Sequence, residues 1–128
     1  MSLTEIDALT AYAKALNTLD AEALWPLLAE DFEYGSQRVL ADVTSKAVFR
    51  TYFSLKLANL RGSNRPVYAE LGRINAYGHE HCVILAQGRK DNLVGLAFAD
   101  VTDGFIRRID LCIIPDAHDA RRSGFYPA

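Results

Sequence analysis

The residues best suited to binding or proton transfer are one aspartate, one lysine and several tyrosines. Tyr52 and Lys56 lie four positions apart in a helical pattern, so they share a face where the ammonium could bind a carboxylate. A lysine stem that covers apolar surface with its charge in water is the alternative. Asp100 is the carboxylate that strand alternation directs toward a pocket, and Tyr12 faces inward beside Leu16. These two are the candidate catalytic groups, Asp100 as general base and Tyr12 as a polar donor, although a strand-end aspartate can equally face solvent.

The His79-Glu80-His81 stretch has the spacing of two metal ligands on one strand face. It lies at a predicted hairpin turn, and no third ligand at fixed spacing accompanies it. Catalytic zinc takes three protein ligands and structural zinc four, so we predict no metal site. Arg108 and Asp110 are expected to form an exposed or interfacial ion pair on the face opposite the pocket. No nucleophile elbow or phosphate loop is present, and no cofactor is predicted.

Composition restricts the class of protein. The chain has 128 residues, half of them hydrophobic, and a net charge of −2, which predicts one globular domain over 1–128. Lys and Arg are scattered, so no basic face for nucleic acid is expected, and no apolar run is long enough to span a membrane. A signal peptide is not indicated, and Cys82 and Cys112 are expected to be buried free thiols, which together favour a cytoplasmic location.

The first half of the chain is predicted to be helical. Ser2 and Glu5 have the spacing of a capping box, and apolar residues then follow at helical spacing until about Asn17. Asp20 is expected to cap a second helix, which is short or kinked because it contains Pro26. A short strand at 32–36 precedes a third helix, SKAVFRTYFSLKLANL, that begins near Ser45.

In the second half the apolar period changes from 3.6 to 2, which indicates strands. The predicted strands are 66–76, 81–89, 93–102 and 105–114. Asp103-Gly104 between the last two is a strong hairpin signal, so these strands form an antiparallel meander. We therefore predict an α+β fold, with three N-terminal helices packed on a highly curved antiparallel sheet in a cone-shaped α+β barrel. The core spans about 3–115, and 116–128 is a tail of uncertain path.

Strand parity predicts which side chains line the cone. One face of the first strand carries Phe32, Tyr34 and Ser36. The last two strands are expected to contribute Val94, Leu96, Phe98, Asp100, Ile109, Leu111 and Ile113. Such a lining suits a small apolar or aromatic organic molecule, and the alternative is that these side chains fill the cone as core. Gln37 and Arg38 could reach the mouth of the cone.

Two strands are apolar on both alternating faces, which is unusual for an antiparallel sheet with one face in water. They contain the sequences CVILAQ and IDLCII. We therefore expect the convex sheet face to pack against a second copy of the chain as a homodimer.

The element order, together with the stretch from Tyr12 to Tyr34, resembles the nuclear-transport-factor-two-like superfamily. SnoaL-like polyketide cyclases, ketosteroid isomerase and limonene epoxide hydrolase share this fold, and the later part of the chain resembles uncharacterised bacterial members. The resemblance to ketosteroid isomerase places its oxyanion-hole tyrosine at Tyr12, its general-base aspartate at Ser36 and its protonated aspartic acid at Phe98. Only the first role is retained, so steroid isomerisation is not expected.

The first functional hypothesis from the sequence is a binding module, a homodimer whose cup holds a small organic molecule. The ligand-binding residues of that cup would be Tyr12, Tyr34, Ser36, Tyr52, Lys56, Phe98, Ile109 and Leu111. The second hypothesis is a cofactor-independent isomerase, cyclase, dehydratase or hydrolase, and the third is a protein-interaction module. An inward acid–base pair would favour the enzyme, and the sequence identifies no histidine beside Asp100.

Overall fold

The computed structural model describes residues 2–37 and 42–128, and it has two helices on one face of a curved six-stranded sheet. The helices are α1 (Glu5–Thr18) and α2 (Lys46–Arg61). The strands are β1 (Leu28–Ser36), β2 (Val67–Ala76), β3 (His79–Gln87), β4 (Leu93–Thr102), β5 (Phe105–Cys112) and β6 (Arg121–Arg122). In the sheet they lie in the order β1-β5-β4-β3-β2-β6. Among the described residues, no helix is long and apolar enough to cross a membrane.

The prediction of three N-terminal helices is wrong, because residues 20–28 form no α-helix. Leu19 ends α1 in the left-handed conformation with φ 57°, and only a short 3₁₀ turn, Trp25–Leu27, follows before β1 begins. Pro26 lacks the backbone N–H that a longer helix would use, and the chain becomes extended at Leu28.

The caps of the two helices differ in how well the sequence predicts them. α1 begins two residues later than predicted, since the capping box pairs Thr4 with Asp7 at 3.0 Å in both directions. The predicted start of α2 is confirmed, and Ser45 Oγ accepts the backbone N–H of Val48 at 3.1 Å.

The four-stranded meander is confirmed, and the rest of the sheet differs from prediction. β2 to β5 pair antiparallel, but β1 pairs parallel with β5, so the sheet is mixed. β1 also begins four residues earlier than predicted, at Leu28. The sheet is curved and open rather than closed into a barrel, because β1 and β6 form its two edges. Arg38 lies outside the described residues.

A bulge in β5 decides which face each β4 side chain occupies. The Asp103-Gly104 turn pairs Thr102 with Phe105, and a regular hairpin would then place Phe98 opposite Ile109. Instead Val101 pairs with Ile106 and Asp100 with Arg108, so β5 contains one extra residue at this point. Directly opposed residues share a sheet face, so one inserted residue reverses the predicted parity.

The reversal moves several predicted pocket residues to the other side of the sheet. We call the side that contacts α1 and α2 the helix face and the opposite side the outer face. Ile109 and Leu111 lie on the helix face as predicted, and Ala97 and Ala99 lie opposite them. Leu96 and Phe98 instead belong to a separate apolar cluster on the outer face. Ile113 is exposed beyond the end of β5.

The C-terminal segment, residues 113–128, covers a large part of the outer face. Ala117 and Ala120 pack on Cys82, Ile84 and other apolar side chains of that face, and β6 then pairs with β2. Burial of the thiols raises the pKa of Cys82 to about 12 and that of Cys112 to about 11. The apolar face from which a homodimer was predicted is thus covered within one chain.

A buried carboxylate fastens this segment to the sheet. Glu70 of β2 is 2% exposed, and its oxygens accept hydrogen bonds from Arg122 Nε at 2.8 Å and from the backbone N–H of Gly124 at 2.7 Å. Tyr126 Oη donates to the same carboxylate at 3.3 Å. The buried charge is therefore both paired and hydrogen-bonded, as a buried carboxylate must be.

Replacing Glu70 with glutamine should weaken this attachment, because the amide keeps the shape but loses the charge. We expect the free energy of unfolding in urea to fall by about 1.5–3 kcal/mol, the range for hydrogen bonds to charged groups. Glu80→Gln is the matched control, since Glu80 forms only an exposed pair with Arg73 at 3.9 Å. Equal losses in the two variants would contradict the role of Glu70.

Candidate functional site

The space between the helices and the sheet is filled mainly by aromatic rings. Phe49 of α2 lies at the centre, with its ring centroid 5.2 Å from that of Phe53 and 5.2 Å from that of Tyr34. Tyr34 in turn contacts Tyr52 at 5.5 Å, and Tyr12 stacks on Phe53 at 5.8 Å. The predicted ligand residues Tyr12, Tyr34 and Tyr52 are thus brought together as members of one packed cluster.

Tyr12 contains a polar atom that the core does not satisfy. The side chain is 1% exposed, and in residues 2–37 and 42–128 its hydroxyl is the one fully buried side-chain N or O atom without a hydrogen-bond partner. Burial raises the pKa of Tyr12 well above its usual value, and the nearby Tyr52 hydroxyl raises it further. Asp100 cannot be its partner, because Asp100 belongs to the outer face.

A small cleft remains at the mouth of the helix face. It has a volume of about 200 Å³, and its lining is largely apolar, with Leu16, Val67 and Leu85 among its members. Lys56 and Gln87 supply polar groups at the same cleft, and Leu111 closes it from β5. Of the predicted ligand residues, Lys56 and Leu111 therefore meet here, while Ile109 is buried in the core beneath the helices.

A larger cavity lies on the outer face, next to the part of the sheet that the C-terminal segment covers. Its volume is about 450 Å³, and it is open to solvent. Four predicted site residues line it: Ser36, Phe98, Asp100 and Leu111. Phe98 and Cys112 of the outer-face cluster supply apolar surface, and most of the other side chains around the cavity are polar or charged.

His79 lines this cavity, although the sequence indicates it only as a possible metal ligand and does not predict its position here. It is the first residue of β3, directly after a tight turn in which Gly78 has φ 81°. Its Nε2 lies 3.3 Å from Asp100 Oδ1 and its Nδ1 lies 3.3 Å from Glu5 Oε1 of α1. A neutral imidazole has one N–H, so only the imidazolium can donate to both carboxylates. The ring also stacks on Phe98, with centroids 5.2 Å apart.

An arginine network forms a second part of the cavity wall. Arg108 Nε donates to both carboxylate oxygens of Asp110, at 2.9 and 3.0 Å. Its Nη2 contacts Asp42 at 3.1 Å, and its Nη1 contacts Glu33 at 3.6 Å. The hydrogen bond to Asp110 is the main cause that raises the pKa of Arg108 above its ordinary range. The predicted ion pair on the face opposite the helices is therefore present, within a larger network at the cavity.

A third wall is held by Gln37 and Tyr77. Gln37 Oε1 accepts the backbone N–H groups of Ile113 and Ile114 at 2.7 and 2.8 Å, and its Nε2 donates to Tyr77 Oη at 3.0 Å. Tyr77 Oη donates to the carbonyl of Ile114 at 2.5 Å. These bonds join the end of β1, the β2–β3 turn and the start of the C-terminal segment.

The histidine pair singled out in the sequence does not form a metal site within the part of the chain that the structure describes. His79 lines the outer cavity, whereas His81 lines a separate cleft beside Arg73. Across residues 2–37 and 42–128, no three His, Cys, Asp or Glu side chains are grouped in a way that could hold a metal ion.

The chemistry available at the outer cavity is that of an acid and a base held side by side. Asp100 offers a carboxylate and His79 an imidazole, two kinds of group that accept and donate protons in general acid–base catalysis. The sequence signal that could have located the histidine was its position directly after the Tyr77-Gly78 turn. Its approach to Asp100 depends on the bulge in β5 and could not be read from strand alternation.

Replacing Tyr12 with phenylalanine tests whether its hydroxyl is without a partner. A buried unsatisfied hydroxyl costs about 1–3 kcal/mol, so its removal should raise the free energy of unfolding by about 1 kcal/mol. Tyr77→Phe is the control, because it removes a hydroxyl that is bonded to Ile114 and should lower stability. Chemical denaturation of both variants measures the difference, and a loss in Tyr12→Phe as large as in the control would mean that the hydroxyl is bonded.

Comparison with known proteins identifies the fold. No family sequence model and no curated protein matches the chain. An NTF2-like protein of unknown function from Mesorhizobium loti superposes with a TM-score of 0.63 at 15% identity, covering 94% of this chain and 91% of that one. An NTF2-like protein from Cytophaga hutchinsonii gives 0.56 at 15% identity, with coverages of 87% and 90%. An LEH-like epoxide hydrolase from M. tuberculosis gives 0.59 at 18% identity, with coverages of 86% and 78%. The chain therefore has the NTF2-like fold.

Proposed function

We propose that the chain binds a small organic molecule in the cavity on the outer face, with His79 and Asp100 as its polar anchors. The observation that carries this proposal is the contact of 3.3 Å between the imidazole and the carboxylate at the wall of an open 450 Å³ cavity. Ligand pockets of this volume combine apolar surface with a few placed polar groups, and here Phe98 and Cys112 supply the apolar part.

The lining changes the class of ligand from the one that strand parity predicted. A cup of Tyr12, Tyr34 and Tyr52 suits an apolar molecule, but those rings pack against one another. The outer cavity instead favours a molecule with a polar group that can exchange hydrogen bonds with carboxylates and an imidazole. An aromatic or aliphatic body would then contact Phe98 and Cys112.

A second candidate function, acid–base catalysis, is favoured by the same pair. Asp100 would accept a proton from water or from the substrate, while the His79 imidazolium donates a proton to a substrate oxygen. Both groups then return to their starting states by exchange with solvent. Hydrolysis and isomerisation each need one such acid and one such base. The LEH-like epoxide hydrolase named above has the same fold, and this likeness alone assigns no activity.

An apolar ligand in the helix-face cleft is a third candidate, favoured by the unsatisfied Tyr12 hydroxyl in the core beneath it. The cleft is smaller, about 200 Å³, with Lys56 as its cationic group. It would suit a compact molecule that carries a carboxylate. The homodimer stays a prediction that is separate from these sites. Its original basis is reduced, since residues of the C-terminal segment pack on the apolar cluster of the outer face.

Binding can be tested by titrating ¹⁵N-labelled protein with a library of small aromatic and aliphatic alcohols, ketones and amines. We expect the compounds that bind to shift the backbone amide signals of Phe98 and Asp100. Asp100→Asn and His79→Gln should weaken these shifts. His118→Gln is the matched control, because His118 forms an exposed pair with Asp116 outside the cavity. Shifts confined to Val67 and Val94 would contradict the proposal and favour the helix-face cleft.

Catalysis needs its own assay, with styrene oxide as a probe of hydrolysis and a β,γ-unsaturated ketone as a probe of isomerisation. If the pair acts as acid and base, turnover should fall at least about a hundredfold in both Asp100→Asn and His79→Gln, the lower end of the contribution of general acid–base groups. Turnover should persist in His118→Gln. Binding without turnover of either probe would leave the chain a binding module for these compounds.

A further inference from the structure

We infer that the outer cavity selects a positively charged organic molecule, such as a primary amine, over a neutral or anionic one. This inference rests on the proposed binding function of the same cavity and specifies the charge of its ligand. It follows from the balance of charges around the cavity, from the carboxylates that already occupy the guanidinium of Arg108, and from the apolar surface beside these groups.

Acidic side chains outnumber basic ones around the cavity. Asp42, Asp100 and Asp110 line it directly, and Arg108 and His79 are the basic groups of the same lining. Two further carboxylates stand immediately behind these cations, Glu33 against Arg108 and Glu5 against His79. Among residues 2–37 and 42–128, five carboxylates therefore stand against one guanidinium and one imidazole, and the surplus stays negative even with His79 protonated. A surplus of one sign of charge in a cavity concentrates ligands of the opposite sign.

Arg108 has little capacity left to bind an anion. Its Nε and Nη2 are both bonded to Asp110, Nη2 also contacts Asp42, and Nη1 points to Glu33. Gly35 of β1 permits this arrangement, because a Cβ there would overlap the guanidinium Nη2 and the Asp110 carboxylate. A carboxylate ligand would have to displace at least one of these pairs, and a cationic ligand would not.

The carboxylates still have capacity for a cationic ligand. The side chains of Asp42 and Asp100 are 43% and 50% exposed, so each carboxylate keeps oxygen surface open to the solvent. Neither belongs to a group of side chains that could hold a metal ion among the described residues. Carboxylates with Phe98 and Cys112 nearby suit an ammonium group on a carbon skeleton.

Three probes of matched shape test the charge preference: benzylamine, benzyl alcohol and benzoate. Each is titrated into the ¹⁵N-labelled full chain, and the dissociation constant is taken from the amide shifts of Phe98 and Asp100. We expect benzylamine to bind at least about threefold more tightly than benzyl alcohol, and benzoate to bind most weakly. Raising the salt concentration to about 0.5 M should reduce the advantage of the amine, because salt screens exposed charges.

The Asp42→Asn variant tests the origin of the preference. Removing one carboxylate charge of the cavity, at an effective dielectric between that of a protein surface and water, should weaken benzylamine binding about three- to tenfold. Benzyl alcohol should bind as before. Asp91→Asn is the matched control, since Asp91 pairs with the exposed Arg89 away from the cavity and should change neither dissociation constant.

The outcomes separate the charge inference from the proposed function. Equal binding of benzylamine and benzyl alcohol at Phe98 and Asp100 would overturn the charge inference and leave the cavity a binding site. Tightest binding by benzoate would overturn it as well. If none of the three probes shifts these amides, while library compounds do so, the cation preference fails alone. If no compound of either set shifts them, both proposals fail.

Discussion

One extra residue in β5 decides what each side of the sheet can do. Between Ile106 and Arg108 the strand is one residue longer than its partner, and the pairing of β4 shifts by one position. Side chains alternate between faces with a period of two, so this shift sends Phe98 and Asp100 to the outer face. Ala97 and Ala99 take their places, opposite Leu111 and Ile109. The small alanines leave room for the aromatic rings of the two helices, and the outer face gains a carboxylate beside a cavity.

The C-terminal segment then determines how much of the outer face stays open. Its alanines cover the apolar cluster around Ile84, and Glu70 holds it through a buried, fully bonded carboxylate. Asn17 of α1 contributes from the other side, since its amide bonds both backbone groups of Ala69 and the carbonyl of Pro127. What remains uncovered is the part of the outer face near β1 and β5, where the charged cavity lies.

Local signals in the sequence predict the elements well, and long-range pairing explains what they miss. The α2 cap at Ser45 and the Asp103-Gly104 hairpin depend on neighbouring residues, so both can be predicted. The prediction of a second helix is wrong, because Pro26 interrupts the helical hydrogen bonds and β1 already begins at Leu28. The parallel pairing of β1, the bulge in β5 and the path beyond 113 depend on contacts between distant segments. The candidate site is the part that the sequence predicts least well. The approach of His79 to Asp100 depends on the β2–β3 turn, the bulge in β5 and the packing of α1 together.

The face occupied by Phe98 is the most direct test of this account. In the structure its ring lies 5.2 Å from the ring of His79 and 5.8 Å from that of Tyr77, centroid to centroid. A nuclear Overhauser experiment on protein with selectively labelled aromatic residues measures these proximities in solution. We predict cross-peaks from the Phe98 ring to the rings of His79 and Tyr77. Cross-peaks from Phe98 to Tyr12 or Phe53 would contradict the account, since they would return Phe98 and Asp100 to the helix face.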